Sequence, residues 1–163
     1  MVALRTLAFS IFVPGMVAIG LPYLYLQAQA QLAPPSLVSA TGISGSLLVV
    51  MGVALYFWCA GEFTFRGEGT PAPIDPPRSL MIKGPYRWTR NPMYIAVLST
   101  ILGEALIFRS AALAIYAGLL FGLFHLFITA YEEPTLHRLF GDAYTAYQHA
   151  VPRWLRLWPE KKG

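Results

Sequence analysis

Two neighbouring carboxylates, Glu132 and Glu133, close one strongly apolar stretch. A dense polar run, Gly84-Pro85-Tyr86-Arg87-Trp88-Thr89-Arg90-Asn91-Pro92-Met93-Tyr94, opens the stretch before it. If the two stretches form a helical hairpin, both sets lie at its open end, where such groups can build a cofactor pocket beside lipid. Adjacent carboxylates at an apolar boundary repel one another and resist burial, so they need a partner, either nearby arginines or a cationic ligand. Two solvated glutamates at a helix end are the plain alternative, but negative charge at a helix C-terminus opposes the macrodipole. Lys83, Arg87 and Arg90 also fit a simple excess of cytoplasmic positive charge. Tyr86 and Tyr94 also suit an interface, and Asn91-Pro92 a helix start. Those readings leave the density of such features at one place unexplained. His125 precedes Glu132 by seven residues and shares its helix face; a core histidine bonded to a backbone or hydroxyl group is the plainer reading. Glu104 is an intramembrane carboxylate, hence a functional candidate, with pairing to Arg109 as the alternative.

The elements that must position these groups are apolar. Of 163 residues, 56% are hydrophobic and 12% charged, too greasy for an ordinary soluble domain. About 20 apolar residues cross a hydrocarbon core, and four windows approach that length: Leu4–Leu26, Leu37–Ala60, Met93–Phe108 and Ala111–Ala130. The expectation is one all-α polytopic membrane domain with about four transmembrane helices, a cytoplasmic cofactor loop over 61–92 and a C-terminal cytoplasmic segment over 131–163. The net charge of +4 does not read as a nucleic-acid signal, because the cations follow the membrane. Arg66, Arg78, Lys83, Arg87 and Arg90 lie between windows two and three. Arg138, Arg153, Arg156, Lys161 and Lys162 follow window four, and Arg5 precedes window one. The loop Gln27–Ser36 has no charge, and the third loop has only Arg109. The positive-inside rule therefore puts both termini and the long loop in the cytoplasm, of a plasma (inner) membrane.

Pro14 and Gly20-Leu21-Pro22 predict a kinked first helix. Ala28-Gln29-Ala30 resembles a signal-peptidase site, but the apolar run before it exceeds the usual ~7–15 residues. Ser36 or Ser39 is expected to cap helix two, with Trp58 and the aromatics of Gly61–Phe65 in an interface belt. Cys59, the single cysteine, is expected to be small apolar filling. Arg66–Pro77 is rich in Gly and Pro and reads as an extended loop. Arg109-Ser110 is a tight turn that makes helices three and four antiparallel neighbours. Ala114, Gly118 and Gly122 form a small-residue stripe suited to close helix contact. Leu136, Leu139, Phe140, Tyr144 and Tyr147 share a face of a C-terminal amphipathic helix, locally weakened by Gly141. Trp154 and Trp158 follow as interfacial anchors. Phosphate-binding glycine loops, a nucleophile elbow and zinc-type Cys/His spacing are absent from the sequence.

Taken together, Gly84-Pro85-Tyr86, Arg90-Asn91-Pro92-Met93-Tyr94, and Glu132-Glu133 followed by Phe140-Gly141, Tyr144, Tyr147 and Val151-Pro152 resemble the isoprenylcysteine carboxyl methyltransferase family. That family is itself related to the phospholipid N-methyltransferases. The match runs from about Arg78 to Trp158. The resemblance implies an integral membrane methyltransferase using S-adenosylmethionine in a cytosol-facing pocket beneath the C-terminal segment. It implies cofactor contacts from Arg78, Ser79, Leu80, Met81, Tyr86, Asn91, Pro92, Met93, Tyr94 and Glu132. Asn91 stands where the eukaryotic enzymes have histidine, and still donates and accepts hydrogen bonds. Ile128 stands where a substrate-contacting arginine is expected; Arg138 is the candidate substitute.

On that reading Glu132 binds the cofactor's ammonium, and aromatic faces such as Tyr86 favour its cationic centre. Methyl transfer is an in-line displacement that gains from positioning and from excluding water. A carboxylate acceptor needs no general base, whereas an amine does, with His125 or Glu133 as candidates. The acceptor is expected to be lipophilic or lipid-modified, reaching the site from the bilayer. N-methylation of a lipid amine and a non-catalytic membrane binding or assembly role are the rival readings. A transporter is disfavoured by the lack of repeats and of paired central charges.

Overall fold

The computed structural model describes residues 11–31, 37–66 and 80–155. Arg5, Pro34-Pro35, Ser36, the 67–79 loop with Arg78 and Ser79, and Arg156, Trp158, Lys161 and Lys162 lie outside the described residues. Among the described residues every regular element is helical.

The first helix, α1, is wound as a π-helix over Ile11–Gly20 and continues as an α-helix over Leu21–Ala28. Pro14 lies inside the wide stretch, and Pro22 in the first turn of the narrower one. Proline has no N–H and pushes on the carbonyl four residues back, so a change of winding accommodates both residues. Helix α2, Ala40–Arg66, is capped by Ser39, whose Oγ accepts from the Gly42 N–H at 3.1 Å. It runs past Ala60 to Arg66, taking the first residues of the expected loop into the helix.

Helix α3 is Pro92–Ile107, with Pro92 in its first turn. Arg109 turns the chain at φ +49°, and the Ser110 Oγ caps α4, Ala111–Phe127, by accepting from the Leu113 N–H. Val97 and Ile101 of α3, Ala117 of α4 and Ala18 of α1 form the central core. The Tyr116 hydroxyl also donates to the Val17 carbonyl at 3.0 Å, tying α4 to α1. Two helices are long and apolar enough to cross a membrane, Ala40–Phe63 and the continuous Ala111–Phe140. Helix α3 is apolar but only 16 residues long.

The small residues that bring helices together are not those of the expected stripe. Gly118 and Gly122 have nothing within 4 Å of a would-be Cβ, and Ala114 is exposed. The close approach is between α2 and α3. A Cβ on Gly45 would sit 2.6 Å from the Gly103 carbonyl oxygen, and one on Gly52 2.7 Å from that of Ala96. Backbone meets backbone there, which requires that a side chain be absent.

A second correction concerns Glu132-Glu133. The helix does not end at them. It passes through a π-turn, Ile128–Glu132, into α5, Glu133–Phe140. The widened turn just before Pro134 relieves the clash that a proline causes in a regular helix. The carboxylates therefore lie within a continuous helix, and the macrodipole argument for them does not apply. At 1.5 Å per residue, the stretch from Ala111 to Phe140 exceeds a hydrocarbon core of ~30 Å, so its polar end from Glu132 onward projects beyond the apolar part. The expected single C-terminal amphipathic helix is instead two short ones. Gly141, at φ +50°, breaks α5 from α6, Asp142–Ala150, and Leu139 is exposed. Tyr144, Tyr147 and Val151 are buried against Leu80, Leu136 and Phe140.

Candidate active site

Where α2, α3 and α4 converge, a cavity of about 390 Å³ opens, within the range of small-molecule sites. Val17, Val97, Leu123, Phe124 and Phe127 give it an apolar side, and Tyr56 and Phe63 an aromatic one. Its polar end is made by Tyr86, Arg90, Asn91, Tyr94 and Glu132. The sequence dictates much of this local order. Gly84, at φ +58°, starts a 3₁₀ turn, Gly84–Arg87, and packs against Glu62, where a Cβ would lie 3.1 Å from the carboxyl carbon. That turn buries Tyr86 edge-on against Phe63, with ring centres 5.7 Å apart. Pro92 then starts α3, which brings Tyr94 into the cavity two residues later.

The two glutamates face different partners, because neighbouring residues on a helix point about 100° apart. Glu132 lines the cavity and accepts a 2.9 Å hydrogen bond from the Tyr94 hydroxyl. Burial and the nearby Glu133 charge raise its pKa, and the Tyr94 bond partly offsets this. Glu133 points to the C-terminal segment. Its Oε1 accepts from Arg90 Nη1 and Arg153 Nε, and its Oε2 from Arg153 Nη2, each at 2.8 Å. Burial would raise the Glu133 carboxyl, but the hydrogen bond from Arg153 and the charges of Arg90 and Arg153 outweigh it and hold the pKa below the usual range. Arg90 Nη1 also donates to the Tyr144 hydroxyl at 3.3 Å.

Further bonds fasten the C-terminal segment over the polar loop. The Arg90 N–H donates to the Pro152 carbonyl at 2.9 Å. The Arg153 carbonyl accepts from Thr89 Oγ1 at 3.0 Å and from Asn91 Nδ2 at 2.9 Å. The Tyr147 hydroxyl donates to the Tyr86 carbonyl at 2.7 Å.

Of the residues that the sequence singles out, Tyr86, Asn91, Met93, Tyr94 and Glu132 come together around one cavity. Pro92 is buried beside it. Met81 packs behind Tyr86 with Cys59 and Phe63, and Leu80 packs on the Tyr144–Tyr147 cluster. Glu133 is held in its ion pairs and is not among the lining residues. His125 is not among them either: its Nδ1 accepts from Trp154 Nε1 at 3.3 Å. Trp154 thus packs on α4 against Phe121. Arg138 is exposed and donates to Thr135 Oγ1 at 3.1 Å, away from the cavity. Arg109 donates to Thr41, not to Glu104.

Sequence reasoning did not single out Arg90 or Arg153 as site residues. Arg90 belonged to the dense polar run without a role of its own and Arg153 counted only as cytoplasmic positive charge; the signal that joins them is an adjacent carboxylate pair in need of cations.

A family model described as phospholipid methyltransferase matches residues 40–143, more than half of the chain. The match includes both sides of the polar end, Tyr86 to Tyr94 and Glu132, and stops short of Arg153. No curated protein and no solved structure matches the chain.

Proposed function

Because the chain belongs to the phospholipid methyltransferase family, we propose that it is an integral membrane enzyme transferring a methyl group from S-adenosylmethionine to a lipophilic acceptor held in the bilayer. The observation that carries this reading is the two-sided cavity, with a half-buried carboxylate at one end and apolar side chains along the rest. Helices α1 to α4 are read as four spans, with the polar end at the cytoplasmic face of a plasma (inner) membrane and both termini on that side. Residues 11–155 belong to one domain in this reading, and the segment after Glu132 covers the site.

The donor set fits the cofactor. Glu132, half-buried on the cavity wall and hydrogen-bonded by the Tyr94 phenol, is suited to an ammonium group. Tyr86 and Tyr94 offer π-faces to a cation. When bound, S-adenosylmethionine supplies an electrophilic methyl on a sulfonium centre. The protein's part is to hold Glu132 in place through Tyr94, to keep water out with Phe124, Phe127 and Phe63, and to present the acceptor along the apolar side. Leu123 lines the cavity yet is 59% exposed, which suits lateral access from lipid. For Arg78, Ser79, Leu80 and Met81 the support as cofactor contacts is the family resemblance alone, since Leu80 and Met81 pack behind the cavity wall and do not line it, and Arg78 and Ser79 lie outside the described residues.

A carboxylate is the acceptor class that these residues favour. Methylating an amine needs a base to remove its proton. Among the described lining residues the only carboxylate is Glu132, which this reading assigns to the cofactor, while Glu133 and His125 are occupied by Arg90, Arg153 and Trp154. A carboxylate needs no such base. The test is calorimetric titration of the detergent-purified protein with S-adenosylmethionine, followed by product analysis with a radiolabelled methyl group. Saturable binding lost in Glu132→Ala, and label released as methanol by mild base, are expected. No binding to folded wild type refutes the enzyme reading, and base-stable label refutes the carboxylate acceptor.

A further inference from the structure

Arg90 has a side turned to the C-terminal segment and an unused donor. Its Nη1 is engaged by Glu133 and Tyr144. Its Nε is buried and has no hydrogen-bond partner among the described residues. The side chain is only 10% exposed, and Arg90 lines the same cavity as Glu132. A buried guanidinium N–H left unpaired carries an uncompensated desolvation cost, so a site that retains one is fitted to an acceptor that arrives with a ligand.

Charge balance says which acceptor. The single negative charge of Glu133 faces two guanidinium groups. This cluster therefore keeps one excess positive charge, directly beside a cavity whose other ionisable wall, Glu132, is a carboxylate. One excess positive and one negative group on one cavity complement a zwitterion that carries an ammonium and a carboxylate on the same carbon.

We infer that Arg90 is a ligand-binding residue whose Nε–H receives the α-carboxylate of the methyl donor, while Glu132 receives its α-ammonium. This rests on the methyltransferase reading and assigns to Arg90 a role beyond membrane topology. It also makes Arg90 a link between the two halves of the site, since the same guanidinium holds the donor on one side and, through Glu133, Arg153 on the other. A lipid phosphate presents the same anionic-oxygen chemistry to this N–H, and the two sources separate when the donor is titrated with no acceptor present.

The test is calorimetric titration of the full-length detergent-solubilised protein with S-adenosylmethionine and with its decarboxylated analogue, which keeps the ammonium and the sulfonium but lacks the carboxylate. Wild type is expected to prefer the carboxylate-bearing ligand by about tenfold or more, the usual worth of a hydrogen bond to a charged group. Arg90→Lys keeps the positive charge facing Glu133 but puts a methylene where Nε stands, and is expected to bring the preference to within about twofold. Glu133→Gln loosens the other side of Arg90 and is expected to weaken both ligands alike, with the preference retained. Equal affinity of wild type for the two ligands overturns the inference without any variant. So does an Arg90→Lys protein that binds both more weakly with its preference intact, because Arg90 would then serve the C-terminal segment alone, and a lipid phosphate would be the remaining source for its Nε. If wild type binds neither ligand, the methyltransferase reading falls, and this inference with it.

Discussion

Replacing Glu133 by glutamine tests how the C-terminal segment is held. Three N–H groups meet the Glu133 carboxylate at 2.8 Å, one from Arg90 and two from Arg153. Hydrogen bonds to charged groups contribute roughly 1.5–3 kcal/mol each, but these three share one carboxylate and are not additive. The Arg153 side chain is 31% exposed, so water screens its share. Arg90, at 10%, is not relieved by solvent in the same way. Removing one partner of a buried ion pair typically costs ~3–5 kcal/mol. With the exposed half discounted and an amide oxygen retained, Glu133→Gln should cost about 3 kcal/mol. If that loss appears as local opening, amide hydrogen exchange over 142–155 should speed up by roughly a hundredfold at pH 7, read by mass spectrometry in detergent micelles. The pH dependence has a definite sign. The Glu133 pKa is lowered in the folded protein, so its contribution is fully present above the ordinary glutamate value of about 4.3. It is lost as pH falls through the lowered folded value. Wild type should therefore keep its protection down to about pH 5 and lose it on further acidification, while Glu133→Gln should show no such step. Exchange that changes less than threefold would refute the reasoning, since the carboxylate would then contribute little to docking.

Other expectations follow from single contacts. Gly52→Val, whose Cβ would meet the Ala96 carbonyl oxygen at 2.7 Å, should lower thermal stability in detergent by the ~1–3 kcal/mol typical of overpacking, or more. Gly118→Val, with open space around it, should leave the melting temperature nearly unchanged; equal effects at both positions would contradict the α2–α3 packing. Tyr147→Phe leaves the Tyr86 carbonyl without its 2.7 Å donor and should cost about 1–3 kcal/mol in chemical denaturation. Tyr94→Phe removes the phenol bonded to Glu132; by the same charge-assisted range it should weaken S-adenosylmethionine about tenfold in titration. Unchanged affinity would take Tyr94 out of the site.

The sequence made one side of the site legible and hid the other. Tyr86, Asn91, Tyr94 and Glu132 stand out because polar groups at the edge of an apolar run have few explanations, and a hairpin brings its open ends together. The partners of Glu133 are not visible in that way. Arg153 lies twenty residues downstream, beyond two short helices and a glycine break, and its approach depends on a C-terminal segment that folds back. Proline at 134 suggests a helix end, but a π-turn lets the helix continue, a choice that local composition does not determine. The Ala114–Gly122 stripe shows a similar limit. Spacing places small residues on one face but does not say what that face meets, and here the glycines that permit close packing are Gly45 and Gly52 against α3. Asn91 is buried, and its amide donates to the Arg153 carbonyl, a bond to backbone that sequence does not predict.

The opposite environments of Glu132 and Glu133 explain why the pair is adjacent. A lone buried carboxylate would either take up a proton or bind a cation permanently. Here the neighbouring cations are turned to Glu133, which holds Arg90 and Arg153 through three bonds. Glu132 is left in the cavity with one phenol and with its negative neighbour opposing ionisation. That carboxylate gains most from a positive group supplied from outside, because burial and Glu133 both act against its charge until a cation arrives. The same Arg90 that satisfies Glu133 stays within the cavity wall, so on the proposed reading the C-terminal segment and the ligand bear on one guanidinium. Docking of the segment and filling of the cavity should therefore strengthen one another. By linkage, whatever factor the docked segment adds to ligand affinity, the bound ligand must return as protection of the segment.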